Sequence, residues 1–186
     1  MTEPMYFNAL AALPETRRTA ALDIRGLGYG PRRLVTEAQN AQRQDAEAKS
    51  RQVEYWCVFD VEAPEPHHGL NDAIQMARDN GIHIAVSNPC FELWLILHYA
   101  EHSRWLDTSE ARSKRRRLDG SEGQGLDTRE YMQRRDTASR RALRLAEMHE
   151  RDGTGFPDGN PSSSVHRIVQ AIESPDHETT DANPAQ

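Results

Sequence analysis

The stretch Val53-Glu54-Tyr55-Trp56-Cys57-Val58-Phe59-Asp60 decides the fold of this chain. Its aromatic and β-branched residues, bounded by charged ones, are typical of a buried central strand. A second short apolar strand is predicted over residues 82–86, after a helix over residues 70–80 that ends at Gly81. Because strands alternate with helices at this spacing, the sequence predicts βαβ units and an α/β fold, with a parallel or mixed sheet flanked by helices.

Helical periodicity continues on both sides of this unit. Further helices are predicted over residues 4–13, 32–50, 91–99 and 126–149. A final helix is predicted where Val165, Ile168, Val169 and Ile172 recur at i, i+3, i+4 and i+7. The remaining segments are predicted as a strand over 19–25, a flexible loop over 113–125 and a disordered tail over 175–186. We expect one domain over residues 1–174, with an Arg-rich helical part over residues 104–151.

Composition limits the class of protein. The chain has 186 residues and a formal net charge of -6. Its longest apolar stretch, residues 91–99, is far too short to cross a bilayer, and the N-terminus lacks the basic segment and cleavage motif of a secretory signal. Cys57 and Cys90 lie in apolar surroundings, which predicts reduced, buried thiols. We therefore expect a cytoplasmic protein without a membrane-spanning segment.

The net charge hides an uneven distribution. Residues 104–151 contain thirteen basic and nine acidic side chains, so a positive segment lies within a negative chain. On the helix predicted over 126–149, Arg140, Arg144 and Arg151 fall on one face beside the apolar face. Arginine pairs well with phosphate, so this stripe predicts electrostatic guidance of a DNA or RNA backbone.

Two carboxylates follow the first predicted strand. Asp60 and Glu62 are one residue apart where the chain leaves the sheet, and ligands of open α/β sheets bind at the carboxyl ends of strands. Oxygen ligands placed in this way predict a site for a hard divalent cation, which could activate a water for phosphodiester chemistry. The alternative is that both acids only solvate a loop or cap a turn.

A second candidate segment is Ser87-Asn88-Pro89-Cys90-Phe91-Glu92-Leu93-Trp94. Asn88 is a suitable N-cap, and Glu92 lies in the first turn of an otherwise apolar helix. A carboxylate in such surroundings must face a cleft, a partner or a ligand, although it could also compensate the helix dipole. His98 lies further along the same helix and could be either a site residue or a hydrogen-bonded packing histidine.

These segments resemble one known family. The stretch Trp56-Cys57-Val58-Phe59-Asp60, the block from Ser87 to Trp94 with Leu97-His98, the opening Thr2-Glu3-Pro4-Met5-Tyr6-Phe7 and the late Asn160-Pro161-Ser162 are similar to the RloB-like family, over nearly the whole chain to about residue 172. The resemblance implies a bacterial abortive-infection or anti-phage protein, commonly with an AAA-type ATPase partner. It also implies a Toprim-like (Rossmann-like) three-layer sandwich with a mostly parallel sheet flanked by helices, as in metal-dependent nucleases.

The sequence also departs from the family pattern. Members usually begin with an apolar strand ending in a Cys-Glu-Gly turn, whose glutamate Toprim proteins place beside the metal, whereas this sequence starts at Met1-Thr2-Glu3. The usual Asp-x-Asp pair reads Asp60-Val61-Glu62. We therefore expect an exposed sheet edge, a tendency to form homo-oligomers and weakened catalysis in the chain as written.

The leading hypothesis is a nuclease that depends on a divalent metal. Asp60 and Glu62 would hold Mg²⁺ or Mn²⁺, and Glu92 would be a further catalytic carboxylate. The residues expected to contact substrate are Asn88, His98, Arg140, Arg144 and Arg151. The alternative is a non-catalytic defence module, in which the helix after Asn88 and the Arg-rich segment bind the companion ATPase.

Overall fold

Three short strands form one sheet at the centre of the computed structural model, which describes residues 2–47, 53–121 and 125–173. In spatial order they are β1 (Trp56–Asp60), β2 (His83–Asn88) and β3 (Ser162–Ser163). β1 and β2 are parallel, with Trp56 opposite His83 and Asp60 opposite Ser87. β3 runs antiparallel to the end of β2, with Ser162 opposite Asn88.

The sheet is therefore mixed, and the prediction of a mostly parallel sheet is wrong in this respect. The reason is the direction from which the chain re-enters the sheet. β3 begins opposite the last residue of β2 and runs back along it. Sequence periodicity predicted the β1–helix–β2 unit, but a two-residue strand has no periodicity to detect.

Eight helices surround the sheet within the described ranges. They are α1 (Thr2–Ala12), α2 (Thr16–Thr19), α3 (Pro31–Glu47), α4 (Leu70–Asp79), α5 (Phe91–Tyr99), α6 (Thr108–Asp119), α7 (Thr128–Arg151) and α8 (Val165–Glu173). The six predicted helices are confirmed as α1, α3, α4, α5, α7 and α8, to within a few residues at their ends, whereas α2 and α6 were not predicted.

The two faces of the sheet pack against different helices. Cys57 and Phe59 of β1 belong to an apolar cluster with residues of α3 and α4. The alternate residues Trp56 and Val58 pack against a larger cluster formed by α1, α5, α7 and α8. Because successive side chains of a strand point to opposite faces, this alternation gives three layers, helices–sheet–helices. The three-layer arrangement is as expected, while the Toprim-like topology stays a prediction.

The strand predicted over residues 19–25 is not formed. α2 ends at Thr19, and residues 20–30 have no helix or strand. Ala20, Leu22 and Ile24 instead pack their side chains against the larger apolar cluster as irregular chain. The alternation of apolar and polar residues over 19–25 therefore reflects alternating burial of side chains, not pairing with a neighbouring strand.

The flexible loop predicted over residues 113–125 is wrong for residues 113–119, which belong to α6. Asp107 caps this helix: its side chain accepts the Glu110 N–H, and Glu110 in turn accepts the Asp107 N–H. Gly120 ends it at φ 64, the left-handed conformation that suits glycine. Residues 122–124 and the tail predicted over 175–186 lie outside the described residues.

Two compositional expectations can be compared with the structure. Cys57 and Cys90 are both free and buried, as predicted. Among the helices of the described ranges, none combines the length and the apolar character needed to cross a membrane.

Candidate functional site

The candidate site lies at the carboxyl ends of β1 and β2. Because these strands are parallel, Asp60 and Ser87 are paired at the same edge of the sheet. Main-chain pairing continues beyond the strands, since the Val61 N–H donates to the Ser87 carbonyl at 2.9 Å and the Glu62 N–H donates to the Pro89 carbonyl at 2.8 Å. The loop after β1 is thereby held against the start of α5.

Three other carboxylates act electrostatically on Asp60 at this edge. Burial raises the pKa of Asp60 well above its ordinary value, and the negative charges of Glu3, Glu92 and Glu62 raise it further. The backbone N–H of Phe91, at the start of α5, acts in the opposite direction. Glu62 and Glu92, two further predicted site carboxylates, thus lie within electrostatic range of Asp60, together with Glu3 from α1.

Glu62 is held in place by α6. Its backbone is in the left-handed region at φ 68, which is uncommon for a residue other than glycine. Thr108 Oγ1 donates to Glu62 Oε2 at 3.0 Å, and Arg112 Nη2 lies 3.8 Å from Glu62 Oε1. Thr108 also accepts the Ala63 N–H at 3.1 Å. The first turns of α6 therefore fix the direction of the Glu62 side chain.

The chemistry of these donors fits a hard divalent cation, because such cations prefer carboxylate oxygens. Glu3 Oε2 is buried and has no hydrogen-bond partner among the described residues, so it is available as an acceptor. As they stand, however, the described side chains include no group of three or more His, Cys, Asp or Glu that could hold a metal ion. A cation would therefore have to draw the carboxylates closer together.

Asn88 lies next to the site but is occupied by hydrogen bonds that hold loops together. Its Nδ2 donates to the Pro157 carbonyl at 3.1 Å, and its Oδ1 accepts from Asn160 Nδ2 at 2.9 Å. The Asn160 side chain also accepts the Leu106 N–H and donates to the Leu106 carbonyl. This partly buried network joins the end of β2 to the chain before α6 and to the chain before β3. Asn88 does not cap α5 as predicted, because Cys90 occupies the N-cap position.

His98 is placed away from the carboxylates, in the aromatic core. It is 2% exposed and packs edge-on against Tyr6, Trp94 and Tyr131. Nδ1 lies 2.9 Å from the Trp94 carbonyl and Nε2 lies 3.2 Å from the Tyr6 hydroxyl. The first contact requires a proton on Nδ1, so Nε2 accepts the hydroxyl proton of Tyr6. Burial lowers the pKa of His98 to about 3. This contact pattern is that of the packing histidine.

The three predicted arginines lie on the surface of α7. Arg140 donates to Thr137 Oγ1 at 3.0 Å, Arg144 pairs with Glu101, and Arg151 donates to the Glu147 carbonyl at 3.2 Å. All three make local contacts, and no contact among the described residues joins them to the four carboxylates. The predicted phosphate-binding stripe therefore stays a prediction.

Comparison with known proteins identifies the family. The model of the RloB-like protein family matches residues 1–172. The chain belongs to the RloB-like family. That family is associated with defence. No curated protein matches the chain, and no solved structure matches it.

Sequence reasoning missed two features of this RloB-like site. The first is Glu3, which was part of the family resemblance but carried no chemical role there, because its proximity to Asp60 depends on how α1 packs. The second is α6 with Thr108 and Arg112. A signal for this helix was present, since Asp107 and Glu110 have the spacing of a capping box and Gly120 suits a helix end.

Proposed function

We propose that this RloB-like chain is a defence protein that cleaves phosphodiester bonds with the help of a divalent cation at the Asp60 cluster. The observation that supports the proposal is that the charges of Glu3, Glu62 and Glu92 act on the buried Asp60, so that burial and repulsion raise the Asp60 pKa. Purely structural carboxylates are normally balanced by basic partners. Within the described residues, the basic side chain that forms an ion pair with this cluster is Arg112, at 3.8 Å from Glu62 and half exposed.

Each residue has a role in this proposal. Asp60 and Glu62 would hold Mg²⁺ or Mn²⁺, with Glu92 and Glu3 adding negative charge. When bound, the cation would polarise a phosphate oxygen and favour ionisation of a water. Thr108 and Arg112 orient Glu62, and the Phe91 N–H orients Asp60. Glu92 would accept a proton from the attacking water.

The test is the variant Asp60→Asn. We expect Mg²⁺ to raise the melting temperature of the wild type and to support cleavage of labelled DNA or RNA oligonucleotides. Asp60→Asn should lose the Mg²⁺-induced rise and reduce cleavage by about 100-fold or more, because it removes a ligand while keeping the side-chain shape. Differential scanning fluorimetry and gel assays with Mg²⁺ or with EDTA measure the two effects.

The matched control is Asp72→Asn on α4, an exposed acid whose ion pair with Arg32 spans 3.5 Å. This variant should respond to Mg²⁺ as the wild type does. The proposal fails if Mg²⁺ leaves the wild-type melting temperature unchanged, or if Asp60→Asn cleaves as fast as Asp72→Asn.

A non-catalytic module that binds an AAA-type ATPase is the alternative proposal. In the sequence analysis it used the helix after Asn88, but α5 is buried along most of its length, including Leu93, Trp94 and Leu97. A partner would therefore have to bind through the exposed arginines of α6 and α7. Under this alternative, Asp60→Asn leaves ATPase binding unchanged and wild-type protein shows no cleavage dependent on Mg²⁺.

A further inference from the structure

A cavity of about 640 Å³ lies between α6 and the chain that leads into it. Leu106 and His102 line it from the incoming chain, and Lys114, Arg116 and Arg117 line it from α6. It is wide and open to solvent, and the four carboxylates described above do not line it.

The cavity is strongly basic. Arg116 and Arg117 are exposed and form no ion pair within the described part of the chain. Glu110, the acidic residue of the lining, is held by the capping box through its bond to the Asp107 N–H. A cavity whose positive charges are not neutralised by the protein is suited to an anion.

His102 and Lys114 contribute hydrogen-bond donors to the lining of the cavity. Lys114 Nζ lies 2.6 Å from His102 Nδ1, so Lys114 donates and His102 carries its own proton on Nε2. That Nε2 is buried and has no hydrogen-bond partner among the described residues. Burial, and then the charge of the neighbouring cation, lowers the pKa of both groups, with Lys114 acting on His102 and Arg117 acting on Lys114.

An exposed aromatic residue adjoins the lining of this cavity in the sequence. Trp105 is the residue before Leu106 in the chain, and 58% of it is exposed. No hydrogen bond or ring contact with another described residue occupies its indole. Exposed aromatic rings beside a basic groove are the arrangement by which proteins bind single-stranded nucleic acids, because bases stack on the ring while cations contact phosphates.

We propose that the α6 cavity binds a single-stranded polynucleotide, with Lys114, Arg116 and Arg117 contacting backbone phosphates and Trp105 stacking on a base. A duplex fits less well, since its bases are already stacked on one another. This inference specifies the substrate of the nuclease proposed above, and it needs no cleavage to be tested.

The experiment measures binding of a fluorescein-labelled 12-mer RNA and the DNA of the same sequence by anisotropy, in EDTA. Because the proposed cleavage needs a divalent cation, an assay in EDTA tests binding separately from catalysis. We expect the double variant Arg116→Ala with Arg117→Ala to bind at least about tenfold more weakly. The slope of log K against log salt concentration should also become shallower by about 1.4, because two phosphate contacts to a single strand are lost.

The matched control is the double variant Arg17→Ala with Arg18→Ala, which removes an adjacent pair of exposed arginines from α2. It should bind like the wild type. Trp105→Ala should weaken binding of the single strand by about 5-fold to 100-fold and leave binding of inorganic polyphosphate unchanged. All substituted side chains are exposed, so the melting temperatures should stay close to that of the wild type.

Three results would overturn the proposal. One is equal binding by the α6 and α2 double variants. Another is equal affinity for the single strand and its duplex together with no effect of Trp105→Ala, which would indicate a non-specific polyanion surface. The third is loss of binding only when Arg140 and Arg144 are replaced, which would place the polynucleotide on α7.

Discussion

Asp119→Asn should lower the free energy of unfolding by about 3–5 kcal/mol, because it breaks a buried ion pair from one side. Asp119 Oδ2 lies 3.0 Å from Arg115 Nη1, and the side chains are 1% and 3% exposed. The Tyr131 hydroxyl and the Ser121 hydroxyl each donate to Asp119 at 2.7 Å. Burial opposes ionisation of Asp119, but these hydrogen bonds and the charge of Arg115 hold its pKa below its ordinary value.

Urea unfolding at pH 7 measures this effect, and Asp23→Asn is the matched control. Asp23 also pairs with an arginine, Arg25, at 2.7 Å, but its side chain is 72% exposed. An exposed pair contributes little, so the control should change stability far less. Equal effects of the two variants would show that the Asp119 carboxylate is not buried against Arg115 in solution. Because Asp119 ends α6 and Tyr131 belongs to α7, the Asp119 variant should also weaken the contact between these two helices.

Acid should destabilise the protein through its buried histidines. His98 has a pKa of about 3 in the folded protein, whereas an unfolded histidine has a pKa of about 6.5. Between these values the unfolded chain binds more protons, so stability is fully present above pH 6.5 and is lost as the pH falls. From the two pKa values, His98 alone should cost about 2–3 kcal/mol by pH 4.5. His166, with a pKa of about 4, should add a similar loss.

The variant His98→Gln isolates this contribution. The difference in free energy of unfolding between the wild type and this variant should shrink by about 2–3 kcal/mol between pH 7 and pH 4.5. The reason is that acid stabilises the unfolded wild type by protonating His98, and the variant has no histidine there to protonate. His67→Gln, at an exposed histidine, is the matched control. If His98→Gln does not fold, His166→Gln should show the same convergence. If the free energy of unfolding of His98→Gln and His166→Gln fell with pH in parallel with that of the wild type, this would contradict a neutral, buried His98.

Burial patterns made most of the fold predictable from the sequence. β1, α4, β2 and α5 were found because their apolar residues face the two clusters, and the period of each pattern distinguishes strand from helix. The same reasoning failed over residues 19–25, where alternating burial occurs without a partner strand. It also failed for α6, whose polar surface shows almost no apolar stripe.

The site was predictable only in part. Asp60, Glu62 and Glu92 could be placed together because the ends of parallel strands share an edge of the sheet. Glu3 could not, because its approach to Asp60 depends on the packing of α1. His98 was assigned a possible substrate role, although the apolar helix around it already indicated a buried position, with Tyr6 as a long-range partner.

The position of α6 sets a length scale for any bound strand. Its first residue, Thr108, touches Glu62, and Arg116 in the cavity lies eight residues later on the same rigid helix. At the helical rise this is about 12 Å, the length of about three to four stacked nucleotides. A helix cannot stretch, so a strand gripped in the cavity would present the same phosphate to the carboxylates each time. Cleavage would then fall about three to four nucleotides from the segment held in the cavity.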